Sequence, residues 1–240
     1  MAQDLDRDYL NIFNFAAIIP VYKDEVHALR LLTELTWLNN KDILIMLDGK
    51  EAASDNFKKI IADKGIKLLQ GERLKNKNGG EWLHRIFVTF LKEFPQYDGF
   101  LRFDPDTKVW RDPNYFPNNQ GIFCETYNTH KLGKTIQSSC MGVWKNAAIK
   151  LIRSGVLINE KFSDLQRWGY PRYTTLKFPE EAESEEPIAF TEEILTLACR
   201  TLNIRVDTWG EVEGSIKNRT GIPNNEDLKW FATHPHRQND

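Results

Sequence analysis

Four short apolar runs, separated by stretches with helical spacing, constrain this chain more than any other feature. Phe15–Val21, Asp42–Leu47, Ile66–Leu69 and Tyr97–Phe103 each read as a strand. Between the first two, Asp24 is placed to cap a helix with Glu25 in its first turn. Val26, Leu29, Leu32, Leu35 and Leu38 then recur at every third position, and Asn39-Asn40 close the helix. Ser54 caps a second helix carrying Phe57, Ile60 and Ile61, with Gly65 beyond its end. Glu81–Phe94 is a third, with Trp82, Ile86, Phe87, Phe90 and Leu91 on its apolar side. Strands this apolar do not suit a sheet with one wet face. The alternation calls for an α/β fold with a mostly parallel central sheet and helices on both of its faces.

Further along, Ile122–Tyr127 and Lys134–Cys140 read as strands and Trp144–Arg153 as a helix. Tyr173–Phe178 is another extended piece, followed by Pro179–Pro187, an acidic stretch that cannot bury itself. Thr191 is placed to cap a helix over Glu192–Leu202, a strand lies near Ile204–Thr208, and a short helix lies near Glu226–Phe231. No repeat and no linker divides the 240 residues. The expectation is a single domain over 1–240.

The net charge of −2 disfavours a nucleic-acid partner. No apolar run reaches the roughly 18 residues of a membrane-spanning helix. The opening MAQDLDRDYL carries four charged groups, the wrong order for a signal peptide. Three cysteines, Cys124, Cys140 and Cys199, form no C-x-x-C pair and no even disulfide framework. A cytoplasmic location is the resulting expectation.

Ligands of parallel sheets bind outside the carboxyl ends of the strands, so the residues that follow each strand matter most. After the fourth strand comes Asp104-Pro105-Asp106. In extended backbone the first and third residues face the same way, and Pro105 disfavours helix for Asp104. Two carboxylates can converge there on a hard divalent cation, Mg²⁺ or Mn²⁺, which would neutralise a diphosphate. The plainer reading is a surface turn, which the position after a buried strand disfavours. Gln70–Gly80 is a basic, Gly-rich loop in which Arg73, Lys75 and Lys77 either meet a diphosphate or are simply solvated. Gly79-Gly80 before a helix could admit a phosphate. Trp110, Trp144, Trp168 and Trp209 read as packing residues. His27, His84 and His130 lack metal-ligand spacing.

In these features the chain resembles the GT-A-type glycosyltransferases, specifically the family-2-like group that uses nucleotide-sugar donors. Pro20-Val21-Tyr22 resembles the family's opening strand, after which the nucleobase is held. Asp48 falls at the acidic position near base or ribose, and Lys75–Gly80 at the segment over the nucleotide. Asp104-Pro-Asp106 resembles the Asp-x-Asp motif, and Ser139-Cys-Met-Gly142 the Gly-containing loop beside the donor sugar. Thr191-Glu192-Glu193 resembles the x-Glu-Asp motif, with Glu193 at the position of the base. His234-Pro235 resembles the C-terminal metal-binding histidine, with His236 the alternative ligand. The resemblance implies a metal-dependent, inverting glycosyltransferase, with a nucleotide-binding half over about 12–110, an acceptor-side half over about 111–240 and Trp168 as the candidate sugar platform. A cation on Asp106, His234 and Asp104 would hold the donor diphosphate, with Asp104 assisting or contacting the ribose, while Glu193 deprotonates an acceptor hydroxyl. A Glu at a helix N-terminus is also explained by the helix dipole alone. Glu192, about 100° round the helix, points elsewhere.

Two rivals remain. A nucleotidyltransferase wants a Gly-rich, Arg-containing loop after the first strand, and Val21-Tyr22-Lys23-Asp24-Glu25 has no glycine. A non-catalytic nucleotide-sugar or carbohydrate-binding module would keep the pocket without turnover.

Overall fold

The computed structural model describes residues 14–73, 79–110, 113, 116, 120–129, 133–158, 191–208, 216–218 and 232–234. Residues 127–129, 133, 208, 216–218 and 232–234 are described by backbone alone. The strands are β1 (Phe15–Val21), β2 (Ile43–Asp48), β3 (Lys67–Gly71), β4 (Gly99–Phe103), β5 (Lys108–Val109), β6 (Ile122–Thr129), β7 (Gly133–Trp144), β8 (Val206–Thr208), β9 (Ile216–Asn218) and β10 (Ala232–His234). The helices are α1 (Glu25–Glu34), α2 (Asp55–Asp63), α3 (Gly79–Glu93), α4 (Lys145–Ser154) and α5 (Thr191–Thr201).

Seven strands form one sheet in the order β3-β2-β1-β4-β7-β6-β8. β7 is antiparallel to both its neighbours, and the other six run in a common direction. Residues of β1 face opposite sides in alternation. Ala17, Ile19 and Val21 join α1 and α2 on one face, while Ala16 and Ile18 join α3, α4 and α5 on the other. The mostly parallel α/β sheet with helices on both faces is therefore present. On the second face Trp82, Phe87 and Phe90 of α3 are fully buried. Each contributes roughly 1.5–3 kcal/mol of burial, so α3 fastens this face without any covalent staple.

Several local expectations hold. Ser54 caps α2, accepting from the Phe57 N–H at 3.2 Å. Gly65 lies beyond that helix at φ +68°, where a Cβ would be strained. Others are corrected. Helix α1 stops at Glu34, and Val26 is 78% exposed. Three-residue steps turn 300° on an α-helix, so the stripe drifts by about 60° per step. The buried side is Ala28 and Leu31, with Leu35 following at the cap. The Asp24 side chain makes no capping bond to α1. Glu25 instead accepts from Ser54, its Oε2 lying 2.8 Å from the Ser54 hydroxyl, which ties the starts of α1 and α2 together. Asp42 lies in a short 3₁₀ turn ahead of β2 and accepts from the Tyr97 hydroxyl. The expected elements at Tyr173–Phe178 and Glu226–Phe231, and the acidic stretch Pro179–Pro187, lie outside the described residues.

A second sheet, β5-β10-β9, holds three short strands. β10 runs antiparallel to β5, pairing Ala232 with Val109 and Thr233 with Lys108. Helix α1 grips β5 from the other side. Arg30 donates to the Thr107 carbonyl at 2.8 Å, and Glu34 accepts from the Val109 N–H at 2.8 Å and from Lys108. No helix among the described residues is long and apolar enough to cross a membrane.

Candidate functional site

The chain builds β1, β2 and β3 outward on one side, then returns to place β4 on the other side of β1. That reversal creates a crevice between the carboxyl ends of β1 and β4, where open α/β sheets bind ligands. The register pairing Ile18 with Arg102 brings Pro20 level with Asp104. Pro20 and Val21 are buried inside β1, and Val21 belongs to the core, so their backbone is what they offer a ligand. Tyr22 is the first partly buried residue off the strand. The Arg73 guanidinium lies over its ring at 4.1 Å and the Lys23 ammonium at 5.4 Å. Lys23 takes a left-handed backbone at φ 61°, held by its N–H to the Ala52 carbonyl at 2.7 Å. A non-glycine residue pays for that conformation only where its surroundings fix it.

Asp48 ends β2, 1% exposed, with the Arg85 guanidinium 3.8 Å from its carboxylate. Arg85 also donates to the Glu72 carbonyl and lies against Gly71, where a Cβ would meet its Nη1 at 2.6 Å. Tyr22, Asp48 and Arg73 thus share one edge of the sheet. Lys75 and Lys77 lie outside the described residues, as do Trp168, Trp209, His130 and His236.

Asp104 is buried at the end of β4 and Asp106 is partly buried in the turn that follows. The turn is closed by the Thr107 N–H to the Asp104 carbonyl at 2.9 Å. The Asp104 N–H reaches the Ser139 carbonyl at 2.8 Å. Arg102, two residues earlier on the same face, is 2% exposed and donates from Nη2 to Asp104 Oδ1 at 2.7 Å. Its Nη1 donates to the Ser138 carbonyl at 2.8 Å and to the Ser138 hydroxyl at 3.0 Å. Ser138 in turn donates to Glu192 Oε1 at 2.8 Å. Arg102 and Ser138 were not among the residues expected from the sequence, and Glu192 was expected only to point away from the acceptor. A lone arginine in an otherwise apolar strand, two residues from an Asp, was the signal that could have found the first of them.

Helix α5 lies on the same face, with Glu192 and Glu193 in its first turn. Glu193 Oε2 is buried and has no hydrogen-bond partner among the described residues. Burial, and secondarily the charge of Glu192, push the Glu193 carboxyl up to about 7. A simple helix-capping carboxylate would be exposed and ionised at neutral pH, so its environment departs from that reading.

Gly142 is not on a loop. Ser139–Gly142 lies inside β7, and Gly142 pairs with Leu101 on one side and Phe123 on the other. A Cβ on Gly142 would meet the Phe123 ring at 1.9 Å, so the glycine makes room for an aromatic neighbour. Trp144 is likewise core, edge-on to Phe15 at 5.0 Å. The three cysteines are buried free thiols, with Cys124 pushed up to about 12 by burial and Cys140 and Cys199 also raised. Such thiols are poor nucleophiles.

Among the described side chains no three His, Cys, Asp or Glu groups gather as a metal cluster. His234 enters through its backbone. One residue beyond the Thr233–Lys108 pair, it falls level with Thr107, next to Asp106. The carboxylate oxygens at this turn are hard donors of the kind that suits Mn²⁺ or Mg²⁺. Arg102 offsets part of the Asp104 charge. No protein-family model matches the chain, and no curated protein resembles it significantly.

Proposed function

We propose that this chain is a GT-A-type glycosyltransferase that moves a sugar from a nucleotide-diphosphate donor to an acceptor hydroxyl, with inversion. The observation that carries the reading is the convergence at the β1–β4 crevice. The Asp104–Asp106 turn closes β4, β10 brings His234 into register beside it, and α5 sets a carboxylate of raised pKa on the same face. Asp106, with His234 and Asp104, is the set that would hold Mn²⁺ or Mg²⁺. When bound, the cation supplies Lewis-acid neutralisation of the diphosphate leaving group. Tyr22 with Arg73 offers a flat, cationic surface for the nucleobase, and Asp48 lies at the same sheet edge for the ribose. Glu193 accepts the proton of the attacking hydroxyl, and a carboxylate of pKa about 7 is well matched to that task near neutral pH.

The test is a panel of uridine, guanosine and adenosine diphosphates and their sugar conjugates, with and without Mn²⁺. Cation-dependent thermal stabilisation together with release of nucleoside diphosphate from one sugar conjugate supports the reading. Stabilisation without release returns a binding module in its place, and no stabilisation by any member removes the reading.

A further inference from the structure

We propose that Arg102 is a positioning residue that joins the Asp104 carboxylate and the first turn of α5 into one hydrogen-bonded unit through Ser138 and Glu192. The inference rests on the reading above, in which Asp104 borders the diphosphate and α5 carries the base.

Arg102 and Asp104 share one face of the strand end, and that face is covered by α5. The donor count fixes the direction of every bond. Nη1 gives its two hydrogens to the carbonyl and hydroxyl of Ser138, at 2.8 and 3.0 Å. Nη2 reaches Asp104 Oδ1 at 2.7 Å. Having accepted from Arg102, the Ser138 hydroxyl has one hydrogen to give, and it goes to Glu192 Oε1 at 2.8 Å. A planar guanidinium can serve both ends at once, whereas an ammonium on a single stem cannot.

The unit also separates the two adjacent glutamates. Glu192 is turned to the sheet and held there. Glu193, about 100° further round the helix, is left with a buried oxygen that has no partner among the described residues. Thr196 fastens α5 at a second point, accepting from the Ile136 N–H at 2.9 Å and donating to the Glu192 carbonyl at 2.7 Å. With two attachments to β7, the first turn of α5 has a fixed rotation, and the rotation decides which carboxylate is bonded to the sheet and which is not.

The experiment compares the full chain with Ser138→Ala, Arg102→Gln and Arg102→Lys. Amide hydrogen exchange is read at Leu195 and Thr196, whose N–H groups bond the carbonyls of the first turn of α5. Ser138→Ala and both Arg102 variants are expected to speed that exchange about tenfold, with Arg102→Lys failing to restore it. Calorimetry with the diphosphates and Mn²⁺, and nucleoside diphosphate release, are measured on the same proteins. Ser138→Ala is expected to leave diphosphate affinity within about twofold and lower kcat at least about tenfold. Unchanged exchange in a folded Ser138→Ala protein overturns the inference, and so does a loss confined to KM. Ser138→Ala removes one hydroxyl and decides the matter where Arg102→Gln does not fold. If the unaltered chain takes no diphosphate with Mn²⁺, the glycosyl-transfer reading fails, while the exchange measurement still decides the positioning role.

Discussion

Arg102 and Asp104 form a buried ion pair between alternate residues of one strand end, Nη2 to Oδ1 at 2.7 Å. The pair sits at the crevice where a ligand of this sheet is expected, and Asp104 meets that ligand already partly neutralised. The two aspartates of the Asp-Pro-Asp turn are therefore inequivalent. Asp104 is buried against Arg102, whereas Asp106 is only partly buried in the turn that follows.

That inequivalence separates stability from binding. Asp104→Ala leaves the Arg102 charge buried without its carboxylate, and breaking such a pair costs about 3–5 kcal/mol. Adding Arg102→Met should recover much of the loss. Urea unfolding of the single and double variants measures it, and a double variant no more stable than Asp104→Ala contradicts the pairing.

Asp106→Ala should behave in the opposite way. The residue is only partly buried in its turn, so the melting temperature should hardly move, while Mn²⁺-dependent diphosphate binding disappears. His234→Ala should weaken the same binding about tenfold or more, and His236→Ala less. Calorimetry reads all three, and undiminished binding in Asp106→Ala would dissociate the turn from the cation.

Glu193 predicts two pH dependences. As a base with a pKa near 7, it should give kcat/KM a rise with an inflection there, and Glu193→Gln should lower turnover by about a hundredfold or more. Its folded pKa is raised above the unfolded value of about 4.5, so the folded state binds the proton more tightly. That contribution to stability is complete below about pH 4.5 and is lost as pH rises through about 7. Glu193→Gln should therefore gain in melting temperature relative to the unaltered chain between pH 5 and 8. A flat difference across that range would place the Glu193 carboxyl in water.

Gly142→Ala tests a packing role. The added methyl meets the Phe123 ring, and overpacking of this kind costs typically about 1–3 kcal/mol. Gly142→Ala combined with Phe123→Leu should recover stability, as read from melting curves. A glycine kept for a ligand would instead lose binding with its stability intact.

The first four strands were legible because each is a run of residues buried on both faces, and sequence displays such runs directly. Ser54 and Gly65 were legible because capping is local chemistry. The strand β7 was cut short at Cys140 because Gly142 looks like a loop residue until Phe123 is known to lie against it. The same limit hid the Arg102–Ser138–Glu192 chain, whose members come from three separate elements. Glu193 could be named as a candidate, but its raised pKa depends on how α5 lies against the sheet, which no local pattern encodes. Val26 was read on one face with Leu29 and Leu32 because a repeat of three was treated as a straight stripe.

The pairing of β5 with β10 has a consequence for the order in which the molecule is assembled. Val109 waits for Ala232, whereas the seven-stranded sheet needs nothing beyond Thr208. A chain emerging from the ribosome can complete its large sheet and both apolar layers first. The strand carrying His234 arrives afterwards, as a late non-local pairing. A chain shortened ahead of β10 would keep every strand of the large sheet and leave β5 without its antiparallel partner.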